Sequence, residues 1–360
     1  MSRTALIAVG GNSLIRAGEK GTVAEQLANA RRTAVAIVGL IRDGYHLVVT
    51  HGNGPQVGAQ LLRSELASDQ VPGQTLDVCG AATQGEIGYL LAQALREELL
   101  TSGMHESMPV ASVITQTVVS ADDPAMQHPS KPIGPFYSQT EAEARQRTLG
   151  WHIFEDAARG YRRLVPSPEP VEILELPAIR ALMDQGMLVV ACGGGGIPVV
   201  RTATGMLGVE AVIDKDRASA LLAAKLGVEL FVISTDADCV YVDYKKPGQR
   251  PLREVTSAEM EVYYRAGEFP AGNMGPKIES ALRFLRAGGE EVIITSYEHL
   301  LAAVGGTAGT HIVKENSKNV LGSRLLAFGT ELRIAGTGKS QQPIANSASL
   351  IGAQPVETVK

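Results

Sequence analysis

Apolar runs of strand length recur along the chain, and a helical pattern follows most of them. TALIAVGGN (residues 4–12) reads as a buried strand entering a glycine turn. AEQLANARRTAVAIVGLIRDG follows, with Leu27, Val35, Val38 and Ile41 near helical spacing and Gly44 as its stop. YHLVVTHGNG repeats the scheme, and GEIGYLLAQALREELLTSG predicts a second long helix ending at Gly103. MLVVACGGGG, LFVISTDAD and EEVIITS are further short apolar runs with helical sequence between them. Continuous apolar strands alternating with helices predict an α/β fold, a mainly parallel sheet covered on both faces. Ligands of such sheets bind beyond the carboxyl ends of the strands, where these glycine turns fall.

Three stretches interrupt the rhythm. Residues 118–168 are rich in Pro, Ser and charge, which predicts an excursion from the sheet, a small protruding lid. A break near 201–210 is expected to separate two lobes of one continuous sheet, 1–205 and 206–315. The segment 316–360 is rich in Ser, Gly, Thr and Ala, and its end is expected to be disordered.

Composition narrows the function by exclusion. With 44% hydrophobic and 20% charged residues the chain is an ordinary globular protein. A net charge of -5 offers no basic footprint for nucleic acid and no polybasic patch for a membrane. Cys79, Cys192 and Cys239 lie far apart without CxxC spacing, and the seven histidines form no ligand pair. No apolar run is long enough to span a bilayer, and the N-terminus enters a strand at once, so the expectation is a soluble, cytoplasmic protein.

Candidate chemistry gathers at the glycine turns. Gly10-Gly11-Asn12 and Gly52-Asn53-Gly54 follow apolar strands and precede helices, where backbone N–H groups converge on anions. Tight packing is the competing reading of each turn taken alone. The run Gly193–Gly196 makes a third such turn. None is a GxGxxG or a GxxxxGK[ST] motif, so any nucleotide is held by another architecture. Lysines supply cations. Lys215 lies between Asp214 and Asp216 before a helix, which suits an ammonium that bridges phosphate oxygens but equally describes a solvated helix start. Lys277 follows a Gly-Pro turn in a helix's first turn, where the helix dipole disfavours a cation and invites an anionic partner. Lys131, between two prolines in the proposed lid, could approach a substrate on closure or be a plain surface lysine. Phosphoryl transfer needs this inventory of lysines and backbone amides. Cys192 abuts the glycine run without a basic neighbour in sequence to activate it.

The blocks AVGGNSLI, VVTHGNGPQVG, LDVCGAATQGEIGY, HPSKPIGPFYS, EDAARGYRRLVPSP, CGGGGIPVV, GVEAVIDKDRASA and MGPKIESALRF closely resemble the carbamate kinases of the amino acid kinase superfamily. The likeness runs from about residue 5 to GTHIV (309–313) in long ordered blocks. It implies a three-layer αβα sandwich around an open, mainly parallel sheet, with a small protruding subdomain, and a homodimer. It further implies an acceptor in the N-terminal lobe, ATP in the C-terminal lobe, and reversible transfer between ATP and carbamate. Mg²⁺ would travel on the nucleotide phosphates, with no protein metal site, and the reaction would run towards ATP in arginine or related nitrogen catabolism.

By the same similarity, Gly10, Gly11, Asn12, Gly52, Asn53 and Gly54 hold the acceptor and the moving phosphoryl group, with Gly194 and Gly195 leaving room for them. Lys131 reaches in from the protruding subdomain. Lys215 and Lys277 bridge the transferred group and the nucleotide phosphates, with Asp214 orienting the lysines. Asp236, Tyr244, Met274 and Pro276 complete the nucleotide side. ISTDADCVYVDYKKPG departs from the family on that side, and residues beyond GTHIV have no counterpart in the usual ending. Two rival readings stand beside this one: a kinase of the same fold with another small carboxylate or carbamate-like acceptor, and a non-catalytic nucleotide-binding regulator.

Overall fold

The strand Arg3–Val9 sends Leu6 and Ala8 into one core and Ala5, Ile7 and Val9 into another. Side chains alternate along a strand, so a continuous apolar run needs cover on both faces. A computed structural model describes residues 3–16, 18–104, 108–156, 160–270 and 274–315, the side chains of Asn12 and Asp156 excepted; the 316–360 extension lies outside the described residues. Eight strands form the main sheet, in the order Glu254–Thr256, Thr310–Val313, Glu291–Ser296, Leu230–Thr235, Arg3–Val9, Tyr45–His51, Leu188–Val190 and Val110–Ser112. All neighbours are parallel except Glu291–Ser296 against Thr310–Val313, so the last two strands on that edge run opposite to the other six.

The helices Val23–Arg42 and Leu76–Thr101 pack on one face, and Lys215–Leu226 and Met274–Arg286 on the other, giving the three-layer αβα sandwich. On the second face Phe231 meets Phe284 edge-on with ring centroids 5.5 Å apart. Val23–Arg42 starts where it does because Thr22 caps it and Glu25 returns the bond, a reciprocal box that satisfies two free backbone donors. Its buried stripe runs through Ala30, Ala34, Ile37, Val38 and Ile41; Val35, counted in the apolar spacing, is exposed instead.

The Pro-rich stretch is structured. The strands Lys131–Tyr137, Gly160–Val165 and His152–Asp156 make a separate antiparallel sheet beside the helix Gln139–Leu149. This lid sits against the helix Gly54–Leu66 at one close point: a Cβ on Gly58 would lie 1.8 Å from the Gly134 Cα. Near 201–210 the chain forms a hairpin of Ile197–Thr202 with Gly205–Gly208, while the main sheet continues unbroken. Among the described residues no helix is long and apolar enough to cross a membrane.

Candidate active site

The glycine turns meet one another at the carboxyl ends of the central strands. Gly52 N donates to Val9 O at 3.0 Å, and a Cβ on Gly52 would lie 2.9 Å from Gly11 N. The turn after Leu188–Val190 closes the group from the other side. Gly194 has φ +64, and a Cβ there would stand 2.3 Å from the Asn53 amide nitrogen. Gly195 has φ +91, and its Cβ would stand 2.7 Å from Ile213 O. Both positions exclude a side chain twice, by backbone conformation and by contact. The atoms that demand glycine here belong to the protein, so the run is explained by loop-to-loop packing before any ligand enters. Asn53, pressed on Gly194, donates to Thr83 Oγ1 at 2.8 Å.

The lysines converge beside these turns through two aspartates with separate tasks. Asp214 caps the helix Lys215–Leu226, its Oδ1 accepting from the Asp216 and Arg217 amides at 2.9 and 3.3 Å. Its other oxygen pairs with Lys131 Nζ at 2.9 Å, the ammonium brought in by the lid strand. Asp216 lies within the helix's first turn and binds both other lysines: Lys215 Nζ to Oδ1 at 2.7 Å and Lys277 Nζ to Oδ2 at 3.2 Å. The direct pairs are Lys131 with Asp214, and Lys215 and Lys277 with Asp216, while the charge of Asp214, expected to orient the lysines, also acts on Lys215 and Lys277. Lys215 Nζ also donates to Ala8 O at 3.4 Å, two residues before Gly10. Lys131 Nζ reaches Ile213 O at 3.4 Å, the carbonyl that abuts Gly195. Ammonium groups and glycine turns thus share neighbours.

Burial and charge compete within the cluster. Burial works against the Asp214 carboxylate, but Lys131, with Lys277 and Lys215 behind it, holds its pKa well below the usual range. Burial likewise opposes ionised Asp216, and Lys215 and Lys277 outweigh it. Burial lowers the Lys215 pKa, with Asp216 opposing; for Lys277 Asp216 and Asp214 outweigh burial, and its pKa rises. His51 is neutral: burial pushes its pKa down to about 4, and the nearby Lys215 adds to the push. Its Nδ1 lies 3.0 Å from Gly52 O, so that nitrogen donates and Nε2 is left as an acceptor. Cys192, at φ +53, is buried with its thiol pushed up to about 12, which suits packing rather than nucleophilic chemistry.

Of the residues expected on the nucleotide side, Tyr244 and Met274 line one cleft together with Tyr241, Phe269 and Pro270. Pro276 lines another, beside Lys131, Asp214 and Arg217. Asp236 is exposed just past the strand Leu230–Thr235 and adds its field to Lys277. The side chain of Asn12 lies outside the described residues. Two features have no single sequence signature. Asp216 as a double anchor could have been suspected from the acids on both sides of Lys215. Arg217 and Arg283 join Glu169 and Glu279 in a network, with Arg217–Glu169 at 2.6 Å and Arg217–Glu279 at 2.9 Å, which ties the two lysine-bearing helices together. Among the described residues no group of three or more His, Cys, Asp or Glu side chains is placed to hold a metal ion.

The amino acid kinase family profile matches residues 3–296. The carbamate kinase of Thermococcus kodakarensis is 47% identical over 314 residues, 86% of this chain and 99% of that protein. The carbamate kinase-like protein YahI of Escherichia coli is 44% identical over 318 residues, 87% of this chain and 100% of that protein. Among solved structures, the carbamate kinase of Giardia lamblia bound to AMP-PNP matches at a TM-score of 0.81 and 40% identity, covering 87% of this chain and 99% of that one.

Proposed function

The chain belongs to the amino acid kinase family, and we propose that it transfers a phosphoryl group reversibly between ATP and carbamate, giving ADP and carbamoyl phosphate. The observation that carries this reading is the meeting of Lys131, Lys215 and Lys277 on Asp214 and Asp216 beside three glycine turns. Phosphoryl transfer asks the protein for placement and for positive charge around the moving group, and little covalent chemistry.

Lys215 and Lys277 would face the oxygens of the migrating phosphoryl group from the nucleotide side. Lys131 would close on the acceptor side as the lid seats. Asp214 and Asp216 hold these ammonium groups in place before substrate arrives, so little reorganisation remains at the moment of transfer. The turns at Gly10–Asn12 and Gly52–Gly54 would present backbone N–H groups to acceptor and phosphate. Tyr244 and Met274 would border the adenine, with Asp236 and Pro276 nearer the phosphates. Both carboxylates of the cluster are already engaged by lysines, so Mg²⁺ would be held by the nucleotide's own phosphates and supply further charge neutralisation there. Residues 1–205 would carry the acceptor and 206–315 the nucleotide. We also infer a cytoplasmic homodimer that runs towards ATP.

A coupled assay of ATP formation from ADP and carbamoyl phosphate tests the reading, with turnover expected. A relative called only carbamate kinase-like, at 44% identity, keeps a second acceptor in view. Silence with carbamoyl phosphate, alongside retained nucleotide binding, would call for an acceptor screen: turnover with another small carboxylate transfers the assignment to it, and none leaves a nucleotide-binding regulator.

A further inference from the structure

A cavity of about 490 Å³ lies at the seam between the lid and the body. That volume falls in the range that holds metabolites. None of Lys131, Lys215, Lys277, Asp214 and Asp216 lines it. One wall is the lid strand from Gly134 to Phe136 with Arg162; the other comes from the loop after the first strand and from the helix Gly54–Leu66.

Its charge is one-sided. Arg16, Lys20, Arg63 and Arg162 line it against a single carboxylate, Glu86. Glu86 already accepts from Gln60 at 3.2 Å and Gln26 at 3.5 Å. Glu19, the next acid along the loop, accepts from the Arg16 backbone at 2.8 Å and from Asn29 at 2.7 Å. Two lining residues each carry a buried side-chain atom without a hydrogen-bond partner: Arg16 Nε, a donor, and Gln56 Oε1, an acceptor. The Gln56 amide cannot simply turn over to remove the second. Its Nε2 donates to Gln26 Oε1 at 2.9 Å, and Gln26 Nε2 donates to Gly21 O at 3.0 Å, which fixes the direction of the chain of bonds. Buried polar groups are normally partnered, so an orphan donor and an orphan acceptor on two lining residues mark groups that an occupant can satisfy once those side chains turn to it.

From the excess of cations and these two unpartnered atoms we propose that the cavity binds a small oxyanion that also carries a hydrogen-bond donor. The oxyanion meets Arg16, Arg63 and Arg162, and the hydroxyl or N–H of the same molecule meets Gln56 Oε1. Hydroxycarboxylates and hydrogen phosphate share this chemistry. Because the lid strand forms part of the wall, an occupant bridges lid and body only a few residues from Lys131.

Calorimetry on the full chain with L-malate, succinate and inorganic phosphate tests the assignment. The readout is heat of binding, so it stands independently of the reaction assigned to the lysine cluster. Malate is expected to bind the wild type and Lys277→Ala equally, and Arg63→Glu and Arg16→Ala at least about tenfold more weakly. Succinate, which lacks the hydroxyl, should bind on the order of tenfold more weakly than malate. Each of the following overturns the proposal: unchanged malate affinity in Arg63→Glu, loss of binding in Lys277→Ala, equal affinity for malate and succinate, or no saturable binding of malate or phosphate by the wild type. Arg63 is exposed on its helix, so its replacement leaves the core intact.

Discussion

The glycine turns and the lysine cluster adjoin, yet they are held by different physics. The turns are fixed by shape: side chains and carbonyls crowd the places where a Cβ would stand, as at Gly194 and Gly195. The lysines are fixed by charge, three ammonium groups on two carboxylates. A region held by shape rejects added atoms and is little affected by salt. One held by charge accepts an isosteric change but responds to any loss of ionisation. The pairing suits the proposed phosphoryl transfer, in which the turns would admit a substrate close to backbone while the cations remain charged beside it.

The largest expected effect is on the charged side. Lys277→Ala should lower turnover on the order of 100-fold or more, the loss of a charge contact made in the transition state, and Lys215→Ala should do likewise. The coupled assay checks both; wild-type turnover in either variant removes that lysine from the mechanism. The shape-held side should show its largest effect in stability instead. Gly194→Ala meets the Asn53 amide 2.3 Å away at φ +64, and strain plus overpacking should cost about 2–3 kcal/mol. Gly227→Ala has a similar φ of +73 but nothing within 4 Å, so it should cost only about 1 kcal/mol. Denaturant midpoints at unchanged slope measure the difference. Equal losses would mean that packing on Asn53 is not what selects glycine.

These two sides were not equally legible in the sequence. Strand runs such as LFVIST and the turns that follow them could be read from pattern, because burial on both faces leaves a continuous apolar signature. The reason for the glycine run could not, since the atoms it avoids come from His51, Asn53, Thr117 and Ile213, distant in sequence. Val35 shows the limit of periodicity: it is apolar near helical spacing, yet the sheet touches the neighbouring stripe. The lid strand Lys131–Tyr137 carries Pro132 and Pro135, and Pro masks the period of two that marks an ordinary strand. The division of labour between Asp214 and Asp216 depends on which side of a helix start each side chain occupies, which spacing alone leaves open.

A smaller effect tests the charge-held side without emptying it. Asp216→Asn keeps the volume of the anchor and removes the charge shared by Lys215 and Lys277. Asp216 opposes the lowering of the Lys215 pKa, so its neutralisation should let that pKa fall further. Turnover near neutrality should drop by roughly tenfold, and the alkaline limb of the kcat profile should move to lower pH. A drop in turnover with an unmoved alkaline limb would assign Asp216 a merely structural part.

Near pH 6, the smallest effect lies where the two kinds of region touch. His51 sits beneath Gly193 in the shape-held half, and burial, reinforced by Lys215, lowers its pKa from 6.5 to about 4. The unfolded chain therefore takes up a proton at His51 as pH falls below 6.5, whereas the folded chain resists until about 4. The unfolded state is then favoured across that window, and stability is full above it and falls as the pH drops. The loss is on the order of 1 kcal/mol near pH 6 and steepens towards about 1.4 kcal/mol per pH unit. His51→Gln keeps a neutral donor towards Gly52 O and has no proton to gain. It can be less stable at every pH through poorer packing, but the difference from wild type should narrow as pH falls from 6.5 to 4. Chemical denaturation across that range measures the narrowing. Parallel curves would place the imidazole in contact with water, and would remove burial as the reason it stays neutral beside Lys215.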